Sequence, residues 1–239
     1  MMTRLKLYSA WYCPFAQRAW MALLHKGVEF EYVEIDPYIK TPEWMENSRG
    51  TGQVPVLIEN PGMESEIIIP GSTRALEFID ARFSSNGPLL FPTRPVAQAD
   101  AKFWIDYQGG NIIPHFYRFL KAELTSEAAD RAKHQLEHGM EIFTNAMVQN
   151  GPYFSGSEVN AVDIAFAPFA LRIELLLSRY KQYALPREGP HWQRYHRWLN
   201  AMSSFGPLID SMAGVSDYNE QLINFYLPYS KGGGQKDVA

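Results

Sequence analysis

Cysteine is almost missing from this chain. Its 239 residues contain one, Cys13, so no internal disulfide can form, and a reducing, cytoplasmic compartment is expected. A Cys-x-x-Cys pair is excluded as well, because the third residue after Cys13 is Ala16. Any redox chemistry must therefore take its second thiol from outside. Long apolar runs are also lacking. None approaches the roughly 18–20 residues needed to cross a bilayer, so no stable membrane span is expected. The opening MMTRLKLYSAWYCPF has no apolar signal-peptide core and reads as a strand entering a turn. Positive charge is not in excess: 22 Lys and Arg stand against 26 Asp and Glu, with no basic face or arm. This argues against nucleic acid as a partner. A phosphate-cradling glycine loop is absent, since Gly232 to Gly234 have no strand or helix to organise them. The six histidines show no metal-ligand spacing. His134 and His138 stand four apart without a suitably placed acid, and a solvated face explains them better than a metal.

What is present is ample apolar content, 46% of the chain, in a length that suits two domains. Residues 3–8 alternate as a half-buried strand does. From Pro14 the period is helical, with Phe15, Ala19, Ala22, Leu23 and Lys26 recurring at three and four, and Gly27 suits a left-handed cap. Residues 30–35 read as a second strand and 40–49 as a short helix. Residues 53–58 read as a strand carrying Pro55, and 66–69 as a further short strand. Ser72 is expected to cap a helix running to Phe83. The order is βαβαββα within residues 1–84, a small mixed sheet with helices. Residues 85–95 (SNGPLLFPTRP) have linker composition. From 96 to 228 the period is helical throughout. Segments are expected over 97–119 (bent near Gly109–Gly110 or Pro114), 126–149, 160–180, 191–202 and 217–226. Residues 229–239 are expected to be a disordered tail. Asn160 and Asp163 form a capping-box pattern and are assigned to folding.

Cys13 falls between a strand and a helix. The unpaired amides and dipole of a helix N-terminus favour an anion, so a thiolate there is stabilised as a nucleophile. A lone cysteine can equally be a small buried hydrophobe, and from position alone the two readings weigh evenly. Val54-Pro55 could hold a cis bond that leaves the Val54 backbone open to pair with a peptide ligand. From sequence alone, an ordinary trans proline at a strand start is favoured. Ser72 with the first amides of its helix could bind a carboxylate, although a plain N-cap is the commoner use. Trp104, Tyr107, Phe116 and Tyr117 are more often core than substrate cleft.

Together these features resemble the cytosolic glutathione transferases, within them the omega-like, cysteine-type class. The resemblance rests on Cys13-Pro14-Phe15-Ala16-Gln17-Arg18, Pro42-Glu43-Trp44, Gln53-Val54-Pro55-Val56-Leu57, Ser72 with Glu77-Phe78-Ile79-Asp80, and Asn160-x-x-Asp163. It is tight over the first 84 residues and looser beyond. It implies an α/β thioredoxin-like N-terminal domain that binds glutathione, and an all-α C-terminal domain that supplies the second substrate's cleft. By position, Cys13 forms a mixed disulfide with glutathione, Phe15 flanks the tripeptide, Val54 beside a cis Pro55 pairs with its backbone, and Ser72 holds the γ-glutamyl carboxylate. Two positions depart from the family pattern. Gly71 replaces the acidic residue expected before the serine. Thr41 replaces the lysine expected before Pro-Glu-Trp, leaving Lys40 one residue earlier as the candidate for the glycyl end. Losing one charge-assisted hydrogen bond costs ~1.5–3 kcal/mol. Trp104, Tyr107 and Arg172 are the candidates for the second cleft.

The implied activity is thiol transfer, deglutathionylation or dehydroascorbate reduction, with a small or protein disulfide or an electrophile as second substrate. A homodimer is expected. Conjugation through Ser or Tyr is disfavoured, because Ser9 lies four residues before the aligned position. Three rivals share the motifs: a glutathione thioether lyase using the same cysteine, a chloride intracellular channel-like protein, and a silent carrier of apolar ligands.

Overall fold

The computed structural model describes residues 4–234. Contacts divide it into two compact units, each built on its own core. The first runs to Phe91 and includes the later segment Gly206–Val215. The second comprises Pro92–Phe205 and the chain from Ser216 on. The division falls inside the stretch with linker composition.

In the first unit the order is β1 (Leu5–Ser9), α1 (Pro14–His25), β2 (Glu31–Glu34), α2 (Pro42–Asn47), β3 (Val56–Glu59), β4 (Ile67–Pro70) and α3 (Ser72–Arg82), with the short α9 (Gly206–Asp210) added from later in the chain. The sheet order is β2-β1-β3-β4. β1 runs parallel to β2 and antiparallel to β3, and β4 is antiparallel to β3. Period-two alternation puts Leu5, Leu7 and Ser9 on the buried face of β1. All of β3 is buried, as an apolar central strand should be. The α1 helix starts at Pro14, whose missing N–H costs nothing in the first turn. It ends before Gly27 at φ +62°, the left-handed conformation read from the sequence.

Two buried polar links hold this unit's later parts to α1. Lys26, whose side chain is fully buried, lies 2.8 Å from Asp80, and Asp80 also accepts from the amides of Leu90 (2.7 Å) and Phe91 (3.0 Å). Gln17 Nε2 donates to Ser211 Oγ at 3.0 Å, anchoring the segment after α9. That segment escapes a periodicity reading because GPLID is a single helical turn.

The second unit is helical: α4 (Pro95–Asn111), α5 (Ile113–Lys121), α6 (Glu127–Asn145), α7 (Ala161–Lys181), α8 (Pro190–Ser203) and α10 (Tyr218–Ser230). The segment expected over 97–119 is two helices broken at Ile112, with Pro114 in the first turn of α5. α10 runs to Ser230, so the expected tail is helical at its start, and its residues 235–239 lie outside the described residues. Phe143, Phe166 and Trp198 form the aromatic centre, with ring centroids 4.9 and 5.4 Å apart along the series.

Candidate functional site

Cys13 occupies the N-cap of α1 in extended backbone (φ −82°, ψ 114°). Its amide donates to Ala10 O at 2.8 Å and its carbonyl accepts from Gln17 N at 3.0 Å. A tight turn thus delivers it from the end of β1 to the helix start. The side chain is partly exposed. It packs beside a small apolar cluster formed by Ala10, Ala16, Trp44, Val54, Val56 and Ile58. No acidic residue stands in the first turn of α1, so nothing there opposes the helix dipole's preference for an anion. The residue is not fully enclosed, as a small core hydrophobe would be.

Val54 shares that cluster, and its peptide bond to Pro55 is cis, as the family resemblance implies and the sequence alone did not. Among the described residues, neither backbone polar group of Val54 has a partner within the chain. Pro55 O accepts from Gly71 N at 2.9 Å, which ties this bend to the start of α3.

At that start one expectation is corrected. Ser72 is the first residue of α3, and the N-cap is Gly71 at φ +93°, ψ 143°. A residue with a Cβ disfavours that backbone, so glycine takes the cap and Ser72 moves one place inward. Its hydroxyl, released from capping, accepts from Arg18 Nη1 at 3.3 Å. Arg18 is 4% exposed, and its guanidinium carbon lies 5.1 Å from the Phe15 ring centroid. Phe15 is 38% exposed. Arg18 thus links Phe15 to Ser72, the Pro55–Gly71 hydrogen bond ties the cis bend to the same helix start, and Cys13 packs on the apolar cluster that holds Val54. Arg18 stands in the quoted motif, and its position three residues after Phe15, on the same helix face, was the available signal for its role.

Lys40 is held differently. Its ammonium donates to the carbonyls of Pro37 and Gly52, bracing the loop that leads to Val54. Thr41 has a structural use: it caps α2, its hydroxyl accepting from Trp44 N at 3.1 Å. Burial pushes the Tyr12 hydroxyl well up, with Tyr38 and Asp36 adding to it, so Tyr12 stays neutral beside Cys13. Ser9 is fully buried on β1, which removes it as an activator of an outside thiol.

In the second unit, Trp104 packs on Tyr107 (5.2 Å), Phe143 (6.1 Å) and Phe154 (5.8 Å). Trp104 and Tyr107 are half-buried. Arg172 is wholly buried, donating to Pro168 O at 2.7 Å and Tyr218 OH at 3.2 Å, which gives it a part in packing. Among the described residues, no helix is long and apolar enough to cross a membrane. Among the same described residues, no group of three or more His, Cys, Asp and Glu is placed to hold a metal.

Residues 7–87 match the family model described as "Glutathione S-transferase, N-terminal domain". Glutathione S-transferase U16 of Arabidopsis thaliana is 31% identical over 182 residues, spanning 74% of this chain and 73% of that protein. The chain belongs to the glutathione S-transferase family. Glutathione is the co-substrate of that family. Among solved structures, the transferase is similar to glutathione transferase Omega 3C from Trametes versicolor, at 27% identity and TM-score 0.77 over 94% of this chain and 89% of that one. Rice GST1, solved in complex with glutathione, shares the fold at 21% identity and TM-score 0.83, over 98% of this chain and 99% of that one. Similar proteins therefore come from both the omega series and the plant U, or tau, series.

Proposed function

We propose that this transferase is an omega-like monothiol enzyme that moves glutathione through a mixed disulfide on Cys13. One observation carries the reading: the chain's single cysteine sits partly exposed at the N-cap of α1, packed on the apolar cluster that includes Val54, whose backbone groups have no partner among the described residues. In the first step the Cys13 thiolate attacks the glutathione sulfur of a mixed disulfide. The Cys13–glutathione S–S bond forms, the old S–S bond breaks, and the other thiol leaves as a thiolate. A second glutathione thiolate then attacks the glutathione sulfur on Cys13, releasing oxidised glutathione and restoring the Cys13 thiolate. No internal thiol can resolve the intermediate, so one free glutathione is consumed per turnover and leaves, with the glutathione of the substrate, as oxidised glutathione. Phe15 flanks the tripeptide, Val54 pairs with its backbone, and Ser72 takes its γ-glutamyl carboxylate, with Arg18 positioning the hydroxyl. Lys40 is assigned to the glycyl end. Trp104 and Tyr107 are proposed for the second substrate. A homodimer in the cytoplasm belongs to the same reading.

The test is intact mass after exposure to oxidised glutathione near neutral pH, repeated after adding reduced glutathione. A single adduct that forms quickly and is then removed supports the monothiol route. The U-series relative supports a second reading, attack on an electrophile by glutathione's own thiolate. Under that reading Cys13→Ser keeps its turnover with electrophiles, and no adduct is needed.

A further inference from the structure

The sheet edge beside Cys13 is acidic and aromatic. β2 is an end strand in the order β2-β1-β3-β4, so no strand of this sheet covers its outer side. Ile35 N donates to Ser9 O at 2.8 Å, and Ser9 is in register with Glu34. In a parallel pair this turns the backbone of Val33 and Ile35 toward β1, and that of Glu34, between them, away from it. The Glu34 carboxylate is exposed but fixed, accepting at Oε1 from Trp11 N (3.2 Å) and at Oε2 from Tyr32 OH (2.5 Å). Asp36, also exposed, accepts from Tyr38 N at 2.9 Å. Tyr38 stacks on Tyr12, the residue before Cys13, with ring centroids 6.4 Å apart. Trp11 meets Tyr12 edge-on at 5.7 Å. Glu31 is paired with Lys6 at 3.3 Å, whereas among the described residues neither Glu34 nor Asp36 has an ion-pair partner. Fixed carboxylates set among aromatic rings suit Lys and Arg side chains. An open strand edge suits an extended chain.

We propose that the β2 edge docks an extended, basic segment of a glutathionylated protein, which makes protein thiols flanked by Lys or Arg the preferred second substrate. This rests on the monothiol reading of Cys13 above. The segment lies along β2 and pairs with the Glu34 backbone, while its cationic side chains meet Glu34 and Asp36. The turn from β1 to α1 joins this edge to the thiol, since Trp11 is bonded to Glu34 and Tyr12 is stacked on Tyr38. The Tyr12 hydroxyl lies within electrostatic reach of Asp36, Cys13 and Glu34 together. When Cys13 takes the glutathione, the segment's own cysteine leaves as the thiolate. Glu34 and Asp36 act on association and take no part in the sulfur exchange, as charges at a rim do.

The experiment measures kcat/KM for release of glutathione from three peptides of one sequence, each with a central glutathionylated cysteine flanked by Lys, Gln or Glu. Each is run on wild type, on Glu34→Gln with Asp36→Asn, and on Cys13→Ser, with the mixed disulfide of glutathione and 2-mercaptoethanol as an uncharged control. Gln and Asn keep the acceptors for Trp11 N and Tyr38 N, so the control should turn over equally in wild type and the double variant. The expected result is that wild type takes the Lys peptide roughly tenfold faster than the Gln peptide, with the Glu peptide slowest, the scale of two partly screened charge contacts. That spread should shrink to about twofold in the double variant, and likewise in wild type at ~0.5 M salt. N-methylation of alternate amides in the Lys peptide should slow it to the rate of the Gln peptide. A Lys preference that survives the double substitution, or an N-methylated peptide as fast as its parent, overturns docking on this edge. Equal rates for the three peptides, with turnover lost in Cys13→Ser, overturns the docking and leaves the monothiol reading standing. Turnover that survives Cys13→Ser, or none on any peptide or the control, overturns the monothiol reading and the docking with it.

Discussion

The helix starts in the two units are built on opposite plans. At α7 the protein closes the end with its own carboxylate. Asn160 Oδ1 accepts from Val162 N at 2.8 Å, and Asp163 Oδ2 accepts from Asn160 N at 3.0 Å. Asp163 Oδ1 accepts from Phe154 N (2.8 Å) and Trp198 Nε1 (2.7 Å). All of this is buried, and the positive end of the helix is neutralised from within. At α1 the cap is Cys13, the next residue has no N–H, and no acid stands in the first turn. At α3 the cap is glycine, again with no acid in the first turn. A helix end that supplies its own anion is a folding device; one that supplies none is open to an anion from outside. The difference is written locally, in Asn-x-x-Asp against Cys-Pro-Phe and Gly-Ser-Thr.

The largest effect that tests the contrast is at the open end. Cys13→Ser should abolish the glutathione adduct and lower thiol-transfer turnover by about a hundredfold or more, since an alcohol cannot form the mixed disulfide. Stability should change little, because the side chain is partly exposed. Retained thiol transfer in a disulfide reductase assay would remove Cys13 from the mechanism. At the closed end the effect should fall on stability. Asp163→Ala strands three buried donors and should cost about 3 kcal/mol or more in urea unfolding, or leave the chain insoluble. A loss under about 1 kcal/mol would mean that water or a neighbouring group replaces the carboxylate, as buried waters can.

This contrast also marks how far the sequence could be read. The capping box was legible because both partners lie within four residues. The element order and most helix limits followed from periodicity. Three features did not. Glycine at φ +93° took the N-cap from Ser72, and a backbone angle leaves no trace in hydropathy. The break at Ile112 was read only as a bend near Gly109–Gly110 or Pro114. Both glycines stay inside α4, and Pro114, which cannot donate, falls in the first turn of a new helix. The cis bond at Pro55 came only from the family resemblance. Of the candidate site, Cys13, Phe15, Val54 and Ser72 were named from motifs. Arg18 stood in the same motif, but its hydrogen bond to Ser72 depends on where α1 meets the start of α3.

Ser72 gives a smaller test of the open corner. Ser72→Ala removes one hydroxyl next to a buried guanidinium and leaves the glycine cap and the helix amides in place. KM for glutathione should rise about tenfold with kcat nearly unchanged, the scale of one hydrogen bond to a charged group. A fall in kcat at constant KM would put Ser72 in the chemistry of Cys13 and outside ligand binding.

The smallest effect comes from the closed end and concerns pH. Burial raises the Asp163 carboxyl from 3.8 to about 6, outweighing the hydrogen bonds from Asn160, Phe154 and Trp198 and the attraction of Arg194. The fold therefore binds this proton more tightly than the unfolded chain does. The stabilisation is complete below about pH 3.8 and is lost as pH rises through about 6. Acidifying from pH 7 to pH 5 should add about 1 kcal/mol at this group, since the folded carboxyl gains its proton in that window and the unfolded one scarcely does. Asn at 163 has no proton to gain. The unfolding free-energy difference between wild type and Asp163→Asn should accordingly widen by about 1 kcal/mol in favour of wild type between the two pH values. A constant difference would show that the three donors, and not burial, decide the charge of this carboxylate. The closed helix end would then hold its anion as firmly as a solvated one.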